Sequence, residues 1–181
     1  GVKATEIYRK HMNLLSSEMQ QYLSQGKDPF APERLKYVSS VEESQAINSL
    51  KHGVIVAGSG MANGGRILHH LRNNLGRREA HVVFVGYQGA GTIGRRLVDG
   101  ARWIRIHGRD IRVNATMHTV GGLSAHADQR GLLAWFGHFD PKPALALVHG
   151  EDKAREALAG EIGERHGIEV VLARPGMTLD A

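Results

Sequence analysis

Twice in this chain a short run of β-branched residues ends in a glycine turn and leads into a stretch of helical periodicity. That repeat constrains the fold more than any other feature. Val54-Ile55-Val56-Ala57 closes on Gly58-Ser59-Gly60, and His81-Val82-Val83-Phe84-Val85 closes on Gly86, Gly89 and Gly91. Runs this short, rich in branched side chains and bounded by glycine, read as strands buried on both faces. A helix from about Gly64 to Leu75 follows the first turn, and one through Ile93 and Leu97 follows the second. Strand and helix in alternation predict an α/β fold with a doubly wound, mostly parallel, Rossmann-like sheet.

Upstream, Ile7, Met12, Leu15, Met19 and Leu23 predict one long amphipathic helix from Ala4 to about Gln25, ended by Asp28, Pro29 and Pro32. A short strand is expected near Leu35 to Val38. Ser40 and Glu43 then have the spacing of a capping box for a helix through Ile47 and Leu50. After Gly100 the texture changes: Trp103-Ile104-Arg105-Ile106 and Ile111-Arg112-Val113-Asn114-Ala115 flank His107-Gly108-Arg109-Asp110, the pattern of a hairpin with glycine in its turn. A boundary there divides the chain into residues 1–107 and a smaller α/β segment, 108–181. The second segment reads as a helix from about Asp128 to Phe136, a strand from Ala144 to Val148, a helix from Asp152 to His166 and a strand from Ile168 to Leu172.

Composition narrows the chemistry. With no cysteine among 181 residues, disulfides and thiolate metal sites are excluded, so any zinc must be held by His, Asp or Glu. No apolar run approaches the ~20 residues of a membrane span, and no secretory-signal order is visible, so a cytoplasmic, non-membrane protein is expected. The net charge of +5 favours polyanionic partners, although arginines scattered from Arg66 to Arg112 are equally what an ordinary basic surface contains.

Two histidines stand where chemistry collects. In Gly122-Leu123-Ser124-Ala125-His126-Ala127-Asp128-Gln129 small neighbours leave the His126 ring accessible, Asp128 is placed to cap the next helix, and the Ser124 hydroxyl can donate to a phosphate oxygen. A loop histidine beside a helix cap is the bland alternative. In Leu147-Val148-His149-Gly150-Glu151, His149 ends an apolar strand, the edge of a parallel sheet where ligands gather. It reads as a metal ligand or as a buried, hydrogen-bonded histidine. The turns at Ser59-Gly60 and Gly86–Thr92 offer backbone N–H groups at helix starts, suited to phosphate. Neither is a P-loop, since no Gly-Lys-Ser/Thr ends it, nor a G-x-G-x-x-G dinucleotide turn.

Taken together, DPFAPERLKYVSSVEESQAI at 28–47, VIVAGSGMANGGR at 54–66, VGYQGAGTIGRRL at 85–97, GLSAHADQ and LVHGE resemble the β-CASP family of metallo-β-lactamase-fold nucleases. The first three stretches resemble the inserted β-CASP domain; the stretch from about Ile111 resembles the RNA-specificity segment that returns to the metallo-β-lactamase domain. The resemblance implies that His126 contacts the scissile phosphate and protonates the leaving oxygen, and that His149 ligates one of two zinc ions. The family's main zinc-binding H-x-H-x-D-H motif has no counterpart here. The chain is therefore expected to be the C-terminal part of a zinc-dependent ribonuclease, completed by an upstream metallo-β-lactamase domain and silent alone. RNA is the expected partner, with a homodimer a further option. The alternatives are a non-catalytic RNA-binding or dimerisation module and a Rossmann-like nucleotide-binding domain.

Overall fold

A computed structural model describes residues 2–123 and 126–179. Seven helices, α1 (Val2–Lys10), α2 (Ser17–Ser24), α3 (Val41–Ala46), α4 (Arg66–Asn74), α5 (Ile93–Val98), α6 (Gln129–Gly137) and α7 (Asp152–His166), accompany six short strands among the described residues. The strands are β1 (His81–Phe84), β2 (Trp103–Ile106), β3 (Arg109–Arg112), β4 (Thr116–Thr119), β5 (Leu145–Leu147) and β6 (Val170–Leu172). The class is α/β, and two of the three strand pairs are parallel: β1 with β4, His81 opposite Thr116, and β5 with β6, Leu145 opposite Val170. The third pair, β2 with β3, is antiparallel.

Two hydrophobic cores follow from this arrangement. The larger gathers Ala62, Leu71, Leu75, Phe84, Leu97, Ile104, Ile106 and Ala115, so that α4, α5, β1 and the β2–β3 hairpin share one interior. The smaller consists of Leu133 and Phe136 from α6 and Ile162 from α7, with Leu145, Leu158, Ile168 and Val170 packed around them. Arg155 locks α7 to its strands, its guanidinium donating to the Ala173 carbonyl (2.6 Å) while the Ala173 N–H bonds the Leu147 carbonyl (3.1 Å).

Local signals in the sequence account for many of the boundaries. Ser40 and Glu43 form the reciprocal capping box of α3, satisfying donors that the first helical turn leaves open. The β2–β3 turn places His107 and Gly108 at φ 47° and 75°, positive at both central residues, as a two-residue turn must be to match strand twist. Gly167 in the left-handed region stops α7.

Three expectations fail. The long N-terminal helix is divided into α1, a 3₁₀ turn at Met12–Leu14 and α2, because Ser16 takes an extended conformation and its hydroxyl accepts from the Met19 N–H, starting a new helix. Leu35–Val38 is irregular coil. Val54–Ala57 runs without strand pairing among the described residues, and Val54 and Val56 are each 92% exposed. Its β-branched composition favours extension, but a strand needs a neighbour to hydrogen-bond.

Candidate functional site: three loops drawn together

The two glycine turns, separate in the sequence reading, are one construction. Gln88, only 6% exposed, reaches from the second turn into the first: its side-chain amide donates to the carbonyls of Gly60 (3.1 Å), Gly86 (3.0 Å) and Tyr87 (3.1 Å). Asn63 reaches the other way, its side-chain oxygen accepting from the Ile93 N–H (3.1 Å), and the Gly94 N–H bonds the Met61 carbonyl (3.1 Å). The approach is so close that a Cβ on Gly94 would stand 1.7 Å from Gln88 Oε1. Glycine at 94 is required by packing rather than by its backbone angles.

Ser59, expected to meet phosphate, has its hydroxyl committed to the turn. It accepts from the N–H groups of Asn63 (3.2 Å) and Gly64 (3.3 Å) and lies 3.3 Å from the Gly64 carbonyl. Gly60 contributes its carbonyl to Gln88. Ser59 thus shapes the turn that would meet a ligand.

The third loop carries His149. The residue sits at φ 62°, a left-handed conformation uncommon for a side chain with a Cβ, and is followed by Gly150 at φ 122°. Beneath them lies Arg155, whose Cγ is 3.5 Å from where a Cβ of Gly150 would be. His149 is exposed, and among the described residues its ring makes no hydrogen bond or ion pair. Glu151 occupies the N-cap position of α7 without capping it. Its carboxylate turns to the second glycine turn, accepting from the Ala90 N–H (3.2 Å) and from the Tyr87 hydroxyl, with an Arg95 guanidinium nitrogen at 3.6 Å. These contacts hold the Glu151 carboxyl below the usual range, the Tyr87 hydrogen bond first, and the same bond pushes the Tyr87 phenol up. Arg95 is raised chiefly by its Nε–H, which donates to both carboxylate oxygens of Asp99 at 2.9 Å. One acidic side chain therefore ties the His149 loop to the turn that leads into α5.

Of the other expected residues, His126 is exposed and lies two residues before Asp128, whose carboxylate caps α6 by accepting from the Gly131 N–H (2.7 Å). Ser124 lies outside the described residues. A groove of about 550 Å³ between α6 and α7, lined by residues such as Arg130, Glu161 and Arg165, includes none of the expected site residues. Sequence reasoning missed Gln88, Glu151, Tyr87 and Arg95. Only Glu151 carried a signal, a carboxylate directly after His149-Gly150.

Among the described residues no group of three or more His, Asp or Glu side chains is arranged to hold a metal ion. His149 has the chemistry of one zinc donor, an imidazole whose nitrogens make no hydrogen bond among the described residues. The described residues provide no complete shell.

With this geometry in hand, the relationships of the chain are plain. Residues 1–97 match the model of the Beta-Casp domain, and residues 110–173 match that of the Zn-dependent metallo-hydrolase RNA specificity domain. The chain belongs to the β-CASP family of metallo-β-lactamase-type nucleases. It is 40% identical over 175 residues to Ribonuclease TTHA0252 of Thermus thermophilus, covering 96% of this chain and 40% of that protein. It is 33% identical over 175 residues to the transcription termination factor FttA of Methanosarcina mazei, and 33% over 174 residues to FttA of Thermococcus kodakarensis, covering 92% of this chain in both and 28% and 27% of those proteins. The chain thus spans less than half the length of the curated relatives it matches. No helix among the described residues is long and apolar enough to cross a membrane.

Proposed function

We propose that this chain forms the RNA-binding wall and part of the catalytic centre of a zinc-dependent ribonuclease that hydrolyses RNA phosphodiester bonds. The observation that carries the reading is the Glu151 tie, which brings the loop of His149 against the paired glycine turns. A candidate metal-donor loop and the two interlocked glycine turns are thereby held at one place. The names of the relatives, a ribonuclease and termination factors, agree with RNA as the substrate class.

In this reading the division of labour follows from side-chain chemistry. His126, exposed and next to the α6 cap, delivers a proton to the leaving oxygen, a role worth ~10²–10⁴-fold in rate. Ser124 donates its hydroxyl to a phosphate oxygen. The turn around Ser59 and Gly60 borders the RNA path, and Asp128 fixes where α6 begins and hence where His126 stands. His149 supplies one zinc donor, and the remaining donors come from a metallo-β-lactamase domain of the same parent chain. Zinc, when bound, supplies Lewis-acid stabilisation of charge at a phosphoryl centre. Residues 1–107 act as the β-CASP part and 108–181 as the segment that returns to the metal domain.

The test is zinc content by elemental analysis after dialysis, with cleavage of end-labelled single-stranded RNA measured in parallel. The isolated 181-residue chain is expected to hold little zinc and to leave RNA intact. In the protein that includes the metal domain, His149→Ala lowers zinc occupancy, and His126→Ala slows cleavage by ~10²–10⁴-fold while leaving zinc in place. Full cleavage by the His126→Ala form overturns the assignment; salt-dependent RNA binding without any cleavage by the intact protein would make it a non-catalytic binding module.

A further inference from the structure

The β2–β3 hairpin lies largely in the stretch between the two matched segments, and nothing so far gives it a role. Its register sorts its side chains cleanly. Residues directly opposite each other share a face, so Ile104 and Ile111 point inward with Ile106, while Trp103 stands opposite Arg112 and Arg105 opposite Asp110 on the outer face. Ile104 and Ile106 are 0% and 1% exposed, whereas Trp103 is 55% exposed. The inner face anchors the hairpin in the larger core, so the outer face is presented on a rigid support.

Two features of the hairpin bear on a ligand. Among the described residues the Trp103 indole makes no ring-stacking or cation–π contact, although the Trp103 backbone carbonyl accepts from the Arg96 guanidinium (3.4 Å), while the chain's other tryptophan, Trp135, packs edge-on against Phe139 at 5.0 Å. Between residues 102 and 112 there are four arginines and one aspartate, and none of Arg102, Arg105, Arg109 and Arg112 forms an ion pair or side-chain hydrogen bond among the described residues. Arg77 pairs with Glu79 and Arg165 with Glu161, while Arg34, Arg72, Arg78, Arg130 and Arg174 also have no side-chain partner among the described residues; what distinguishes the hairpin is that its open arginines flank an exposed indole. An open indole with guanidinium groups about 7 Å along its own strand and directly across from it offers a base a stacking surface and its phosphates cations.

We propose that the outer face of this hairpin, Trp103 with Arg105 and Arg112, binds single-stranded RNA at a place separate from the His126 and His149 loops. The proposal rests on RNA being this protein's ligand. It adds that a stretch of the strand is held by base stacking and phosphate contacts on the hairpin, without regard to sequence. Duplex RNA, whose bases are already stacked within the helix, is a poor ligand for such a surface.

The chain has only two tryptophans, so Trp135→Phe leaves Trp103 as its single indole. Titration of that form with an unstructured oligouridylate should quench the tryptophan emission saturably and less strongly as salt rises. Trp103→Ala should weaken binding of fluorescein-labelled oligouridylate roughly 5- to 150-fold, with Trp103→Phe recovering much of it. Arg105→Gln with Arg112→Gln should flatten the plot of log affinity against log salt by about 1.4, two single-strand phosphate contacts. Photocrosslinking of thiouridine-containing RNA to the unsubstituted chain, with peptide mapping, checks the same point without substitution and should label the peptide containing Trp103. Unchanged emission at RNA concentrations that saturate the labelled probe, equal quenching by duplex RNA or heparin, or a crosslink elsewhere overturns the proposal. Stacking by Trp103 in an intact protein that never cleaves RNA would sustain this surface and sink the nuclease reading; cleavage with an indifferent Trp103 would do the reverse.

Discussion

The two cores of this molecule are built on the same chemistry at different scales. Eight buried apolar residues drawn from helices, strands and a hairpin make the first; three from α6 and α7 make the second. The larger core is knit by sequence-distant contacts, such as the Asn114 and Ala115 N–H groups both bonding the Leu75 carbonyl. The smaller leans on its rim, with Phe136 also meeting His166 edge-on at 5.5 Å and Arg155 pinning the strand ends. A core of eight has neighbours enough to share the loss of any one member, whereas a core of three does not. The total surface makes the same point: 13847 Å² is exposed, against about 8,600 Å² for a compact monomer of this length.

The comparison is broken most directly at Phe136. Phe136→Ala should cost about 3–5 kcal/mol and unfold the second unit first, since its ring is the largest of the three buried side chains of that core. Ile104→Ala removes a residue of similar burial from the larger core and should cost about 2–5 kcal/mol while leaving the α6–α7 unit in place. The two tryptophans report the outcomes separately, Trp103 on the hairpin of the first unit and Trp135 on α6 of the second. Thermal melts followed by each indole in single-tryptophan forms should come apart in opposite order for the two variants; coincident melts in both would mean one cooperative unit. Gly94→Ala, at the seam of the glycine turns, should displace Gln88 and cost about 1–3 kcal/mol through its lost hydrogen bonds, visible as faster amide exchange from 58 to 65. Asp128→Ala should cost about 1 kcal/mol by uncapping α6, read as a lower midpoint in urea for the Trp135 signal alone.

The smallest effect is the most local. The folded-state pKa of Glu151 is depressed by the Tyr87 hydroxyl, the Ala90 N–H and Arg95. What this adds to stability is present above the titration of an ordinary glutamate and is lost as the pH falls through the depressed folded value. Exchange of the Ala90 amide, corrected for its intrinsic rate, should therefore accelerate on that acid limb, and Glu151→Gln should remove the pH dependence. An unaltered profile in the variant would separate the two units that Glu151 is held to join.

Local signals were legible in the sequence, and partnerships were not. The Ser40–Glu43 capping box, the turn at His107-Gly108 and the span of α7 could be read because each is decided by residues within a few positions of one another. Val54–Ala57 could not be read correctly, because its residue types specify extension and only a neighbour can make it a strand. The same reason hid the site's organisation. Gln88, which ties turn to turn across 28 residues, and Glu151, which ties loop to loop across 61, have no sequence periodicity to betray them. Even Ser59 was visible as a residue of the turn while its role inside the turn was not.

The unpaired Val54–Ala57 stretch also bears on how the protein can be handled. A β-branched segment that pairs with no strand among the described residues, with valines 92% exposed, is a template for whatever strand arrives first, another copy of itself included. At the bench this means association that grows with protein concentration, centred on residues 54–57 and suppressed by a lysine in place of Val54 or Val56.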